Sequence, residues 1–240
     1  MNRHKPYYDA KMRTGACDSV KNTLNISIIG HSFVRRLASN LSKQRLPGMT
    51  LDKSMPSILR LDDHIKTIQT VGKSGLKISD LVCLIDEVGQ SKPDAIIIDC
   101  GSNDLTLASC NVEQLVENLM SLANYSKIVY EVKLVMFCSV LPRGKCREVT
   151  PLQFEERMKS FNSKLQESCA NESGTCFFMY RGFWRDPTGN VLPISAWSSD
   201  LIHPGVQADS KGFLKYVRNI RDCLQTIIAM LRSETETSVR

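Results

Sequence analysis

The sequence has no apolar run that approaches the ~18 residues of a membrane span. Its polar, charged first residues lack the apolar core of a signal peptide. No pair among the nine cysteines is spaced C-x-x-C, so neither a zinc ribbon nor a thioredoxin motif is supported. Cys83, Cys100, Cys138 and Cys223 instead fall inside apolar runs, where a reduced thiol behaves as a small hydrophobe. These features together lead to the expectation of an intracellular, reducing, cytoplasmic location. Internal repeats and low-complexity tracts are missing as well. Two phosphate and hydrolase motifs fail on inspection. Gly72-Lys-Ser74 lacks the upstream glycine of a phosphate-binding loop, because Thr67 stands there. The nucleophile elbow G-x-S-x-G fails around Ser32, because Val34 stands at its second glycine.

What is present is ordinary in bulk and specific in arrangement. The 240 residues, 42% hydrophobic and 23% charged, suit one soluble core. A net charge of +6 is spread along the chain, with a modest cluster at Arg3, Lys5, Lys11 and Arg13. Residues 1–22 carry no periodicity and read as a flexible leader, residues 23–232 as one domain, and residues 233–240 as a polar tail.

Within that domain, strand and helix patterns alternate. Leu24, Ile26, Ile28 and Ile29 suggest a buried strand, and Phe33, Val34, Leu37, Ala38 and Leu41 follow at helical spacing. Residues 43–64 read as a long connection, and Ile65–Val71 as a second strand. Ile78, Leu81, Val82, Ile85 and Val88 mark a helix that Gly89 is expected to end. The continuous run Pro93–Cys100 reads as a strand buried on both faces. Asn111, with Gln114 three residues on, reads as a helix cap, and Val132–Cys138 as the fourth strand. Thr150-Pro151 opens another helix, Cys176–Tyr180 forms a fifth strand, and Lys211–Leu231 a long closing helix. A loop of roughly thirty residues before that helix carries Trp184, Trp197 and His203, and long loops in compact domains are commonly functional. This alternation predicts an α/β protein, a parallel sheet covered on both faces in a three-layer α/β/α sandwich. Its reactive edge should be the carboxyl ends of the strands.

Four polar blocks fall there or in the late loop: Gly30-His-Ser32, Gly72-Lys-Ser-Gly75, Gly101-Ser-Asn103-Asp104 and Asp200-Leu-Ile-His203. Taken singly, Ser32 reads as a helix cap, Asn103 as a turn residue and His203 as a surface histidine. Taken together they supply a nucleophile (Ser32), a general base (His203) and an acid to orient the imidazole (Asp200). The Ser32 and Gly75 N–H groups and the Asn103 amide are the expected oxyanion donors. Asp62-Asp63-His64 has no further ligand nearby and reads as a charged surface turn, so no metal is expected.

The same blocks, in the order Gly-x-Ser, Gly, Gly-x-Asn-Asp and Asp-x-x-His, resemble the SGNH hydrolase superfamily, the GDSL-type esterases. Their surroundings are similar to SGNH-type domains common in invertebrate genomes, some of them associated with retrotransposons. The resemblance spans Leu24 to the final helix. It implies a flavodoxin-like sheet of five parallel strands ordered 2-1-3-4-5, and an esterase that needs no cofactor and acts on a small ester of a lipid or a sugar. It also implies supporting roles for Gly30, His31, Gly101 and Asp104. His31 stands where the family usually has aspartate, so it is expected either to rearrange the local hydrogen bonds or to add positive charge near the oxyanion. Gly212 lies farther beyond His203 than the family's His-Pro-x-x-x-Gly spacing. The alternative from another class is a catalytically silent module of the same fold that binds protein or nucleic acid through its basic leader. Oligomeric state is not encoded in any of these signals.

Overall fold

Five segments with the most continuous apolar character pair into one parallel sheet. The computed structural model describes residues 23–43, 59–61, 63–183, 202–203 and 211–237. The strands are β1 (Leu24–Gly30), β2 (Ile65–Gly72), β3 (Ala95–Asp99), β4 (Leu134–Cys138) and β5 (Thr175–Phe178). They lie in the order β2-β1-β3-β4-β5, as the resemblance implied. The helices are α1 (Ser32–Lys43), α2 (Leu81–Gly89, entered through a 3-10 turn at Ile78–Asp80), α3 (Val112–Tyr130), α4 (Pro151–Ala170) and α5 (Lys211–Thr237).

Strand side chains alternate between two cores, which is why β3 and β4 read as near-continuous hydrophobic runs. Ile26, Ile28, Ala95, Ile97, Leu134 and Met136 face α1 and α5, meeting Phe33, Val34 and Leu37 on one side and Phe213, Ile220 and Leu224 on the other. Ile29, Ile96, Ile98, Val135 and Phe137 face α2, α3 and α4, meeting Leu81, Ile85, Leu119, Phe154 and Phe161. Helix starts follow the expected chemistry. The Asn111 side chain accepts the Gln114 N–H, and Thr150 and Gln153 form a reciprocal capping box with Pro151 in the first turn.

Four details differ from the sequence expectations. The α2 segment begins as a 3-10 turn at Ile78, and Gly89 is its last helical residue, without a left-handed conformation. Glycine is needed there for space, because a Cβ would lie 2.5 Å from the ring of Tyr130. β5 ends at Phe178, which leaves Tyr180 beyond the strand, with its hydroxyl on Asp99. The closing helix continues past Leu231 to Thr237. The leader at 1–22, most of the connection at 43–64, Asp62, Asp200, Trp184 and Trp197, and the end of the polar tail lie outside the described residues.

Candidate functional site

In the pairing register Gly30 of β1 stands beside Gly72 of β2 and Asp99 of β3, so three strands end on one line. Gly30 is the pivot of that line. A Cβ there would sit 2.2 Å from the Asp99 carbonyl oxygen and 2.8 Å from Val34, so only glycine lets β1, β3 and α1 approach this closely. The chain leaves β1 through His31, whose N–H donates to the Asp99 carbonyl, and enters α1 at Ser32. The loops after β2 and β3 are tied to each other. The Asn103 amide donates to the Leu76 carbonyl at 2.9 Å, and the Ile78 N–H donates to the Asp104 carboxyl at 3.2 Å. These bonds hold Gly75 and Asn103 on the same side as Ser32, and all three line one cleft with His203.

The Ser32 hydroxyl lies 2.7 Å from Nε2 of His203, a contact between residues 171 positions apart. Phe33 meets the His203 ring edge-on with centroids 5.4 Å apart, which fixes the imidazole against α1. Gly75 adopts φ +74 in open space, so the glycine serves the backbone conformation and not a tight fit. Asn103 spends one amide proton on Leu76, and its second remains for the cleft. Gly101, also at positive φ, shapes the start of that loop against Phe161. Asp200 lies outside the described residues.

His31 does not face the cleft as a charge. It is 3% exposed, its Nδ1 accepts the Phe33 N–H at 3.3 Å, and its Nε2 lies 3.7 Å from an Asp99 carboxyl oxygen. Burial pushes its pKa below the ordinary histidine value, Asp99 opposes that, and Arg143 and His203 reinforce it. The neutral imidazole is therefore the form favoured at neutral pH.

Beneath His31 is a network that the sequence reading missed. The other Asp99 oxygen accepts the hydroxyls of Tyr180 at 2.9 Å and Tyr216 at 2.6 Å, which ties the end of β3 to the segment after β5 and to α5. Burial, with Asp99 beside them, raises both tyrosine pKa values well above normal, so both hydroxyls stay protonated donors. The available signal was an acid closing the run Ile96-Ile-Ile98-Asp99, since a buried carboxyl group needs named partners.

Asp104 acts as a brace for the two loops. Desolvation raises its pKa to about 6, against hydrogen bonds from Ile78 and its own backbone that lower it. Because the folded value lies above the unfolded one, the stability this group contributes is complete below about pH 3.8 and is lost as pH rises through about 6. Asp104→Asn, which retains an acceptor for Ile78, should remove that fall. The stability of the variant relative to wild type should climb by up to about 3 kcal/mol between pH 4 and pH 7. Urea unfolding midpoints across that range measure it, and a difference independent of pH would refute the account.

A second feature missed from sequence is the cationic lining of the cleft. Arg35 and Arg36 of α1, and Arg143, Lys145 and Arg147 of the loop after β4, surround Ser32, Asn103 and His203 in a volume of about 280 Å3. The pairs Arg35-Arg36 and Arg143-Gly-Lys-Cys-Arg147 were visible signals, each just past a strand end.

Compared by sequence, the chain matches no family model and no curated protein. Compared by structure, it superimposes on a Bacteroides fragilis protein proposed to be an acylhydrolase with a TM-score of 0.62 at 16% identity, over 87% of this chain and 89% of that one. A GDSL-like lipase of Bacteroides thetaiotaomicron gives 0.58 at 17% identity, over 84% and 88%. An acetylxylan esterase of Geobacillus stearothermophilus gives 0.55 at 16% identity, over 83% and 94%. Variants of that esterase that replace a serine or a histidine are described as catalytic mutants. The five-stranded parallel sheet in the order 2-1-3-4-5, with helices on both faces, is thus the fold of the GDSL-like lipases and acylhydrolases, the SGNH hydrolase fold.

Proposed function

We propose that the protein is a serine esterase of SGNH type that hydrolyses a carboxylic ester, releasing an acetyl or other short acyl group from a lipid or sugar. The observation that carries this reading is the 2.7 Å contact between the Ser32 hydroxyl and His203 Nε2. In the proposed reaction His203 takes the hydroxyl proton as Ser32 Oγ bonds to the ester carbonyl carbon. The carbonyl oxygen gathers negative charge, which the Ser32 and Gly75 N–H groups and the Asn103 amide receive. The carbon–oxygen bond to the alcohol then breaks, the alcohol leaves with the proton held by His203, and an acyl group remains on Ser32. Water, deprotonated by His203, attacks that acyl group and releases the carboxylic acid, which restores the serine.

Asp200 is assigned to orient His203 and to stabilise its protonated form. Gly30, His31, Gly101 and Asp104 hold the loops that present the donors. This chemistry draws on the protein's own hydrogen bonds and needs no metal or cofactor. The acetylxylan esterase among the structural neighbours supports the acetyl-sugar version of the reading.

A fluorophosphonate probe tests nucleophile and oxyanion donors together. Wild-type protein should be labelled at Ser32 and Ser32→Ala should not be. Equal labelling of the two proteins, or none of either, would remove the reading.

A further inference from the structure

We infer that the cleft selects an ester bearing a negatively charged phosphate or carboxylate group; the inference rests on the esterase reading and names its substrate class. Five cationic side chains converge on the walls around Ser32, and no carboxylate is among the described residues that line them. They come from two separate elements on the same cleft. Arg35 and Arg36 follow the serine within the first turns of α1, and Arg143, Lys145 and Arg147 come from the loop after β4.

Among the described residues, the acids Asp99, Asp104 and Glu148 near the cleft are committed elsewhere. Asp99 accepts from two tyrosine hydroxyls, Asp104 accepts from Ile78, and Glu148 accepts the Ala108 N–H. None of the ion pairs among the described residues engages Arg35, Lys145 or Arg147. Arg143 is held in place, donating to the Ser102 carbonyl and hydroxyl with its guanidinium 5.7 Å from the centre of the Phe154 ring. That anchoring sets one fixed charge beside the Asn103 loop, while Lys145 and Arg147 are exposed at the rim.

Cations lining a concave surface add their fields within it, and guanidinium groups match the planar oxygens of carboxylate and phosphate. A neutral acyl ester has nothing for these groups to bind. An ester with an anionic substituent gains attraction on approach and orientation once bound. A volume of about 280 Å3 suits a small molecule or a single headgroup.

Three acetyl esters of one phenol series provide the test: para-acetoxybenzoate, para-acetoxyphenyl phosphate and the neutral methyl para-acetoxybenzoate. The neutral ester has the better leaving group, so intrinsic reactivity works against the expected preference. At low ionic strength kcat/KM should be about tenfold or more higher for the anionic esters, and the preference should shrink as salt is raised. The ratio of anionic to neutral kcat/KM should fall about tenfold in Lys145→Gln/Arg147→Gln, whose exposed positions leave the fold intact as checked by circular dichroism. The carboxylate and phosphate arms show which anion is preferred.

Hydrolysis of the neutral ester at an equal or higher kcat/KM, without salt dependence, would overturn this inference and leave the esterase intact. Failure of all three esters together with salt-sensitive binding of phenyl phosphate by calorimetry would overturn the esterase and leave the anion site. Binding of an RNA oligonucleotide that is tighter than that of phenyl phosphate and is lost in Lys145→Gln/Arg147→Gln would overturn the small-anion assignment.

Discussion

Ser32→Ala should lower the turnover of p-nitrophenyl acetate by roughly four orders of magnitude or more, with KM little changed. The hydroxyl is the atom that would bond to the substrate. His203→Ala should lose a comparable factor, since without Nε2 the hydroxyl keeps its proton. The informative experiment is the double variant. If serine and histidine act as one unit, removing both costs about as much as removing either, because the remaining oxyanion donors already account for the residual rate. Losses that multiply would instead mean that the two side chains work independently, and the 2.7 Å contact would then be a resting hydrogen bond without catalytic meaning. Burst kinetics separate the acylation step from deacylation in each protein.

Asp99→Ala should destabilise the fold by about 3–5 kcal/mol. The substitution strands the Tyr180 and Tyr216 hydroxyls, both fully buried and both donating to the lost oxygen, and leaves a cavity at the junction of β3 and α5. Each stranded donor costs about 1–3 kcal/mol, and the void adds to that. Asp99→Asn should cost less, because its amide oxygen still accepts both hydroxyls while its NH2 group faces His31 Nε2 as one donor against another. Tyr180→Phe and Tyr216→Phe, which remove a donor and not the shared acceptor, should each cost about 1 kcal/mol. Chemical unfolding of the four variants gives the ordering. An Asp99→Ala protein within 1 kcal/mol of wild type would show that the network carries little of the stability.

The sheet was legible because its signal is local. Ile26, Ile28 and Ile29, and the run Ala95–Ile98, announce strands buried on both faces without reference to anything else in the chain. The caps at Asn111 and Thr150 are equally local, since each partner is three residues away. Gly89 does end α2, but the reason glycine is needed there is distant: the ring it accommodates is Tyr130, on another helix. The Asp99 network joins residues 81 and 117 positions apart, and no periodicity encodes such a pairing. The polar blocks after β1, β2 and β3 avoid this difficulty because the topology itself aligns strand ends, so a residue just past an apolar run could be placed at one edge without knowing its contacts. The cationic lining could have been placed by the same rule but was read only as part of a scattered net charge.

The strand order also dictates a history for the nascent chain. After β1 and β2 pair, β3 is added on the open edge of β1, and β4 and β5 each on the outer side of the strand made before, so the sheet then widens in one direction as synthesis proceeds. The helices packed against Ile96, Ile98 and Phe137 arrive interleaved with those strands. Among the described helices only α1 covers the opposite face until residues 211–237 emerge, so Ile97, Met136 and their neighbours stay half-covered until then. A ribosome stalled before that helix would present a half-shielded hydrophobic slab, and quality-control machinery would see this domain as unfinished until residues 211–237 are made.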